Sequence, residues 1–503
     1  MSVVWTEDQR RVIDTRNSNI LVSAAAGSGK TAVLVERILA RITDPEHPVD
    51  VDRLLITTFT NAAAGEMRER IGKRIGELLR EDPGNAWLQR QESLVHRAQI
   101  TTIHGFCLYV IRNYFHTIDL NPNFRIADEG EIKLMKQDVA QELVNAAHRA
   151  GDEAFLRFAD SYGSGNRGGG LEDMILQLYE YAVASPQPLR WLEHCADACA
   201  MPEDGGWEAF AGAQEVLREL HMAVADAESS IREARELTLL PGGPVAYQDA
   251  LSDDMRLLLA LRESTTVEAF RDILAGASYA KLPSRRAKVM ADADEELCER
   301  VMALRDDMKE TLKSLKNQYF SVPDDVQFAQ LRRTEGQVRT LAVLTKEFML
   351  RFDEQKRKKN ILDFSDQEHF ALRILMREVD GKLLPSQTAD VFADYFQEIM
   401  VDEYQDSNLV QEAILTSICR SRRGQVNRYM VGDVKQSIYR FRQAEPGLFL
   451  AKYESYSSDA AEVENAVAFR TSGEGVPVGV EMGDVGVRID LRQNFRSRSE
   501  VLS

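Results

Sequence analysis

The sequence predicts an α/β fold, a parallel sheet flanked by helices and split by a long, purely helical section. Three observations carry this reading. Short apolar runs alternate with helically spaced segments over residues 1–125, the strand signal almost vanishes over 126–359, and it returns after Asn360. The first run is Asn19-Ile20-Leu21-Val22-Ser23. A loop of small residues follows it, and then a helix from Thr31 with apolar positions at Val35, Ile38, Leu39 and Ile42. Leu54 to Phe59 reads as a second buried strand with a helix behind it through Leu79, and Gln99 to Ile103 as a third.

From Asp128 to Lys359 helical periodicity dominates, with loops at Gly163–Gly170 and Pro241-Gly242-Gly243-Pro244. The run Lys356-Arg357-Lys358-Lys359 reads as a solvated helix end, where positive charge complements the helix dipole. Further strands are expected at Ile399-Met400-Val401 and Tyr429-Met430-Val431. A polar, Gly-rich excursion over 457–486 precedes a last strand, Val487 to Leu491. That strand is expected to open a second sheet, cut short because the chain ends 12 residues later.

Composition narrows the class only a little. The hydrophobic fraction is 44% and the charged fraction 28%, as in ordinary globular proteins. No apolar run reaches membrane-spanning length and the N-terminus lacks a signal-peptide pattern, so a cytoplasmic location without membrane contact is expected. The net charge of −18 leaves a nucleic-acid partner open, because such affinity follows a local basic groove and not the sum. His194, Cys195 and Cys199 lie close together, but no second ligand pair follows at zinc-like spacing. They read as helix-packing side chains.

The segment Ala24-Ala25-Ala26-Gly27-Ser28-Gly29-Lys30-Thr31 joins a strand to a helix, which is the setting of a phosphate-binding loop. Its glycines let backbone N–H groups face phosphate oxygens, and the helix N-terminus adds a positive dipole. Lys30 is placed for the β- and γ-phosphates and Thr31 for Mg²⁺. A small residue, Ala24, stands where the general pattern has Gly. Val401-Asp402-Glu403-Tyr404-Gln405-Asp406 follows an apolar strand. Asp402 is the expected metal ligand, and Glu403 the group that orients or deprotonates an attacking water, so the pair points to ATP hydrolysis. Competing readings are an acidic surface turn and a P-loop phosphotransferase. The latter predicts a substrate lid and gives no reason for Phe441 and Arg442 to follow Gln436.

Seven motifs, in order, resemble those of UvrD/Rep-like superfamily 1 helicases. They are Gln9 in Trp5-Thr6-Glu7-Asp8-Gln9, the phosphate loop, Thr57-Thr58-Phe59-Thr60-Asn61, Thr102-Ile103-His104-Gly105-Phe106-Cys107, the Asp402 segment, Gly432 to Arg442, and Asn494-Phe495-Arg496-Ser497. The resemblance implies that Gln9 reads the adenine edge, that Gln436 senses the γ-phosphate, and that Arg496 pairs with it across a cleft. It also implies single-strand DNA contacts at Thr60, His104, Tyr439, Phe441 and Arg442, with core packing as the competing reading for Tyr439 and Phe441. Three features are similar to AddA-type helicase–nuclease subunits in particular: Ala444-Glu445-Pro446 before Leu448-Phe449, the large helical insertion, and Leu178-Tyr179-Glu180 with Ser185-Pro186 and Trp191-Leu192-Glu193.

The resemblance implies a RecA-like ATP-binding domain (1–125 and 360–486), a helical insertion (126–359), and the first strand of a second RecA-like domain (487–503). It implies an ATP- and Mg²⁺-dependent motor that moves 3′–5′ on single-stranded DNA, acts at double-stranded ends in break repair, and pairs with an AddB-type subunit. The family's nuclease domain is not found in these residues. A UvrD-like helicase without nuclease and a non-catalytic DNA-binding scaffold are the alternatives. The intact Lys30, Thr31, Asp402, Glu403 and Gln436 favour an active ATPase over the scaffold.

Overall fold

The structure is a computed structural model that describes residues 4–25, 27–163, 170–420, 425–436, 444–459, 486–491 and 493. Of the residues singled out above, Ala26, Tyr439, Phe441, Arg442 and Arg496 lie outside the described residues, as does the side chain of Gln436. Ten strands are present among the described residues: β1 Asn19–Ala24, β2 Leu54–Thr58, β3 Gln99–Thr102, β4 Arg125–Ile126, β5 Ile361–Leu362, β6 Met376–Val379, β7 Lys382–Pro385, β8 Glu398–Val401, β9 Arg428–Gly432 and β10 Gly486–Leu491. Six of them form one sheet in the order β10-β1-β9-β8-β2-β3, and every pairing in it is parallel.

The sequence dictates this sheet through burial on both faces. Along β1, Ile20 and Val22 point into a core that holds Val33, Leu34 and Ile38 of helix Lys30–Ile42 and Ile71 of helix Asn61–Glu81. Leu21 points to the opposite core, with Phe106 and Val110 of helix Ile103–Tyr114 and Leu372 of helix Phe364–Leu375. Side chains alternate with period two, so a strand apolar at every position fits only between two helical layers.

Parallel strands put all their carboxyl ends on one edge. Ala24, Thr58, Thr102, Val401 and Gly432 end their strands there, and the loops that leave them hold the predicted site residues. The opposite edge carries a buried ion-pair cluster. Glu398, the first residue of β8, takes hydrogen bonds from Arg37 Nε (2.8 Å) and Arg41 Nε (3.0 Å). Arg37 also donates to the carbonyls of Val12 and Thr15. Glu398→Ala would leave Arg37, which is 3% exposed, charged and unpaired. We expect a loss of about 3–5 kcal/mol, read as a lower urea unfolding midpoint; a change within about 0.5 kcal/mol, as at ordinary surface sites, would disprove the clamp.

Three sequence expectations differ from the structure. The strand expected at Val487–Leu491 does not open a second sheet. As β10 it pairs in register with β1, Asn19 opposite Gly486 and Ala24 opposite Leu491, and Val487, Ile489 and Leu491 fill the same core as Ile20 and Val22. A parallel edge strand can arrive from any distance along the chain, so sequence order could not assign it. Lys356 is not solvated. It is 4% exposed, and its Nζ lies 2.6 Å from Asp366 and 3.2 Å from Asp363, while Arg357, Lys358 and Lys359 are exposed. Lastly, β6 and β7 form a hairpin in a stretch given no strands. Its turn, Asp380-Gly381, has both residues at positive φ (50° and 76°), the geometry that a tight two-residue hairpin turn needs.

The chain divides into two compact units, one of 1–139, 179–188 and 350–503, and the other of 140–178 and 189–349. The second is helical in its described residues. Its core is built by helices Ala213–Thr238, Gln248–Arg262 and Glu295–Tyr319 around Trp207, Leu220, Leu258, Phe270 and Met308. The boundaries fall inside the expected 126–359 section because Lys136, Tyr179 and Phe352 pack together in the first unit. Lys136 Nζ sits 4.7 Å from the Tyr179 ring centre, and the rings of Tyr179 and Phe352 meet edge-on at 5.9 Å.

Candidate nucleotide-binding site

The phosphate loop begins where β1 ends. Gly27 (φ 79°) and Gly29 (φ 84°) take left-handed conformations that let the chain turn from strand into helix without a Cβ clash. Gly29 is the N-cap of helix Lys30–Ile42. Gln9 joins the loop from outside. Its side chain and that of Thr6 cap helix Glu7–Asp14 reciprocally, and its Nε2 donates to the Ser28 carbonyl at 3.2 Å. Ser28 is 1% exposed and its Oγ has no hydrogen-bond partner, an uncommon state for a buried hydroxyl. Such a loop, with an orphaned donor and a free helix N-terminus, fits a phosphate chain.

Lys30 crosses to the carboxylates behind β8. Its Nζ lies 3.0 and 3.2 Å from the two Glu403 oxygens, so the structure brings the two residues together although they are 373 positions apart. Asp402 N–H donates to the Thr57 carbonyl at 2.9 Å, which holds it at the end of the sheet. Glu403 sits at φ 53°, a sparsely populated conformation for a residue with a Cβ. Burial, and next the Glu403 carboxylate beside it, push the Asp402 carboxyl up to about 6. A divalent cation relieves such crowding. Among the described residues no group of three or more His, Cys, Asp or Glu could hold a metal by itself. The residues present therefore suit Mg²⁺ in its usual manner, one or two protein oxygens (Asp402, Thr31) with phosphate oxygens supplying the rest.

Gln405 was not singled out from the sequence, and it links this site to the next motif. Its Nε2 donates to Glu403 Oε2 at 2.9 Å, and its Oε1 accepts from the Asp433 N–H at 3.0 Å. Gly432 is required beside it, because a Cβ there would lie 2.2 Å from Gln405 Oε1. Asp433 leads into the 3-10 turn Val434–Gln436, so the backbone of Gln436 follows directly on this bridge. A buried amide inside an acidic motif was the available signal.

Thr60 and His104 lie beyond the ends of β2 and β3. Thr60 is exposed and caps helix Asn61–Glu81 by accepting from Ala63 N–H at 3.1 Å. His104 sits in the first turn of helix Ile103–Tyr114, with its side chain 35% exposed. Both share the sheet edge with the nucleotide loop. Among the described residues no helix is long and apolar enough to cross a membrane.

Residues 5–457 match the UvrD/REP helicase N-terminal domain. The chain is 43% identical over 503 residues to the ATP-dependent helicase/nuclease AddA subunit of Lachnoclostridium phytofermentans, an alignment covering 99% of this chain and 35% of that protein. It is 41% identical to the protein of the same name from Geobacillus kaustophilus (99% and 38% covered) and 40% identical to that from Clostridium perfringens (100% and 38%). The chain thus spans between 35% and 38% of the length of these relatives. A match running from Trp5 to Ser457, through the loop that carries Lys30 and the turn that carries Glu403, means that the chain belongs to the UvrD/REP helicase family.

Proposed function

We propose that this chain carries the ATP-hydrolysing motor of a DNA helicase, and that it serves as part of a helicase–nuclease subunit of the AddA type. The observation that carries the reading is the Lys30–Glu403 contact at 3.0 Å, which joins the phosphate loop to the acidic turn across the carboxyl edge of the sheet. Lys30 would neutralise the β- and γ-phosphates, Asp402 and Thr31 would hold Mg²⁺, and Glu403 would orient the attacking water. Bound Mg²⁺ would supply charge neutralisation on the phosphates. Gln9 would meet the adenine edge, Gln436 would sense the γ-phosphate, and Arg496 would pair with it.

Thr60, His104, Tyr439, Phe441 and Arg442 would then form the single-strand DNA contacts, with aromatic stacking that tolerates any sequence. Residues 1–125 with 360–486 would be one RecA-like domain and 126–359 its helical insertion. The family likeness supports movement 3′–5′, action at double-stranded ends in break repair, an AddB-type partner and a cytoplasmic place of work. The test is Mg-ATP hydrolysis with and without single-stranded oligo(dT), followed by strand displacement on partial duplexes of either polarity. Stimulation by DNA is expected. ATP turnover that DNA leaves unchanged would overturn the motor reading, and ATP binding without any turnover would favour a scaffold.

A further inference from the structure

Beneath His104 lies a buried carboxylate that the proposed motor chemistry does not use. Glu368, on helix Phe364–Leu375, is 5% exposed. Its Oε1 is 3.2 Å from His104 Nε2 and accepts from Gln411 Nε2 at 2.7 Å, while its Oε2 accepts from Asn408 Nδ2 at 3.1 Å. Burial alone would raise its carboxyl, but the donors, His104 first, outweigh burial and hold it below the usual carboxylate range. A carboxylate so fixed accepts from Nε2 and thereby sets the tautomer and plane of the His104 ring.

The other two donors belong to the chain that leaves the acidic turn. Asn408 is the N-cap of helix Leu409–Ser417, its Oδ1 accepting from Gln411 N–H at 2.8 Å while its Nδ2 reaches Glu368. Only the 3-10 turn Tyr404–Asp406 and Ser407 separate Glu403 from Asn408. A displacement of the acidic turn therefore carries Asn408 and Gln411 with it, and a buried charge cannot be left behind without losing its donors.

We propose that Glu368 is a positioning residue that couples the nucleotide site to DNA binding, holding His104 on one side and the helix after the acidic turn on the other. The proposal rests on the reading of His104 as a DNA contact and of Glu403 as a nucleotide-site residue. Coupling of this kind needs one element that both sites bias, and the Glu368 carboxylate is such an element.

The experiment measures binding of a labelled oligo(dT) to the chain by anisotropy, with and without a non-hydrolysable Mg-ATP analogue, alongside analogue affinity and thermal midpoint. Glu368→Gln keeps the size but faces three donors with an amide. It is expected to weaken oligo(dT) binding about tenfold while analogue affinity holds. His104→Ala should weaken it similarly, and the double variant no further, because both act through one contact. Gln411→Leu keeps the His104–Glu368 contact and cuts the link to the helix. It should preserve oligo(dT) affinity without nucleotide and lose the change that the analogue brings. If His104→Ala binds oligo(dT) normally, the DNA reading itself fails and the proposal with it. If His104→Ala weakens binding but Glu368→Gln does not, or the two effects add, only the coupling role of Glu368 is overturned. If Glu368→Gln lowers the thermal midpoint and analogue affinity together, Gln411→Leu decides. A retained nucleotide effect in that variant overturns the proposal, and a lost one supports it.

Discussion

Glu403→Gln is expected to keep Mg-ATP bound and to stop its hydrolysis. The substitution leaves Asp402 and Lys30 in place and removes only the carboxylate that can orient or deprotonate water. The expected fall in turnover is about 10²–10⁴-fold, the usual contribution of a positioned general base. The local fold should tolerate the change. Gln405 Nε2, now 2.9 Å from Glu403 Oε2, can donate equally well to an amide oxygen, and the left-handed backbone at φ 53° strains Gln no more than Glu. The Lys30 ammonium loses its carboxylate partner at 3.0 Å and becomes available to phosphate, so nucleotide affinity should hold or rise. Single-turnover phosphate release and titration with a fluorescent ATP analogue separate the two effects. Loss of nucleotide binding together with turnover would show that Glu403 acts through structure or metal.

The path from sequence to site was open where the signal is local and closed where it is not. Strands β1, β2, β3, β8 and β9 could be read because each is a short apolar run followed by a turn, and burial on both faces demands that pattern. The phosphate loop and the Asp402–Glu403 pair could be read because their spacing is itself the chemistry. The sheet address of β10 could not, since pairing with β1 joins positions more than 460 residues apart and no local pattern names a partner. Lys356 failed for a related reason. A basic run at a helix end usually meets water, and only the fold places Asp363 and Asp366 beside one of its members. The hairpin at Asp380-Gly381 carried a readable turn signal, but in its strands, β6 and β7, exposed and half-buried positions replace the buried apolar run that marked the others. Glu368 and Gln405 looked like ordinary polar residues. Their meaning lies in what faces them, Glu368 meeting His104, Asn408 and Gln411, and Gln405 joining Glu403 to Asp433.

Lys30→Ala is expected to remove DNA-stimulated ATP turnover and leave the fold standing. The structural cost is small. Lys30 is the first residue of its helix, where Ala is a favourable choice, and in its ion pair with Glu403 the two side chains are 12% and 32% exposed. A pair reached by solvent in this way contributes about 0–1 kcal/mol, so the thermal midpoint should barely move. Glu403 would keep the Gln405 amide as a donor and turn its freed oxygen to water. The functional cost is large, because no other lysine or arginine belongs to the loop Ala24–Thr31. A donor aimed at charge that develops on the transferring phosphate is worth on the order of 10²–10³ in rate, and here the same group also serves ground-state binding. Both nucleotide affinity and turnover should therefore fall, in contrast to Glu403→Gln, where only turnover falls. Hydrolysis measured beside circular dichroism and thermal melting reads the two costs separately. Near-normal turnover in a folded Lys30→Ala protein would mean that nucleotide is handled elsewhere, and the assignment of this sheet edge as the ATP site would be wrong.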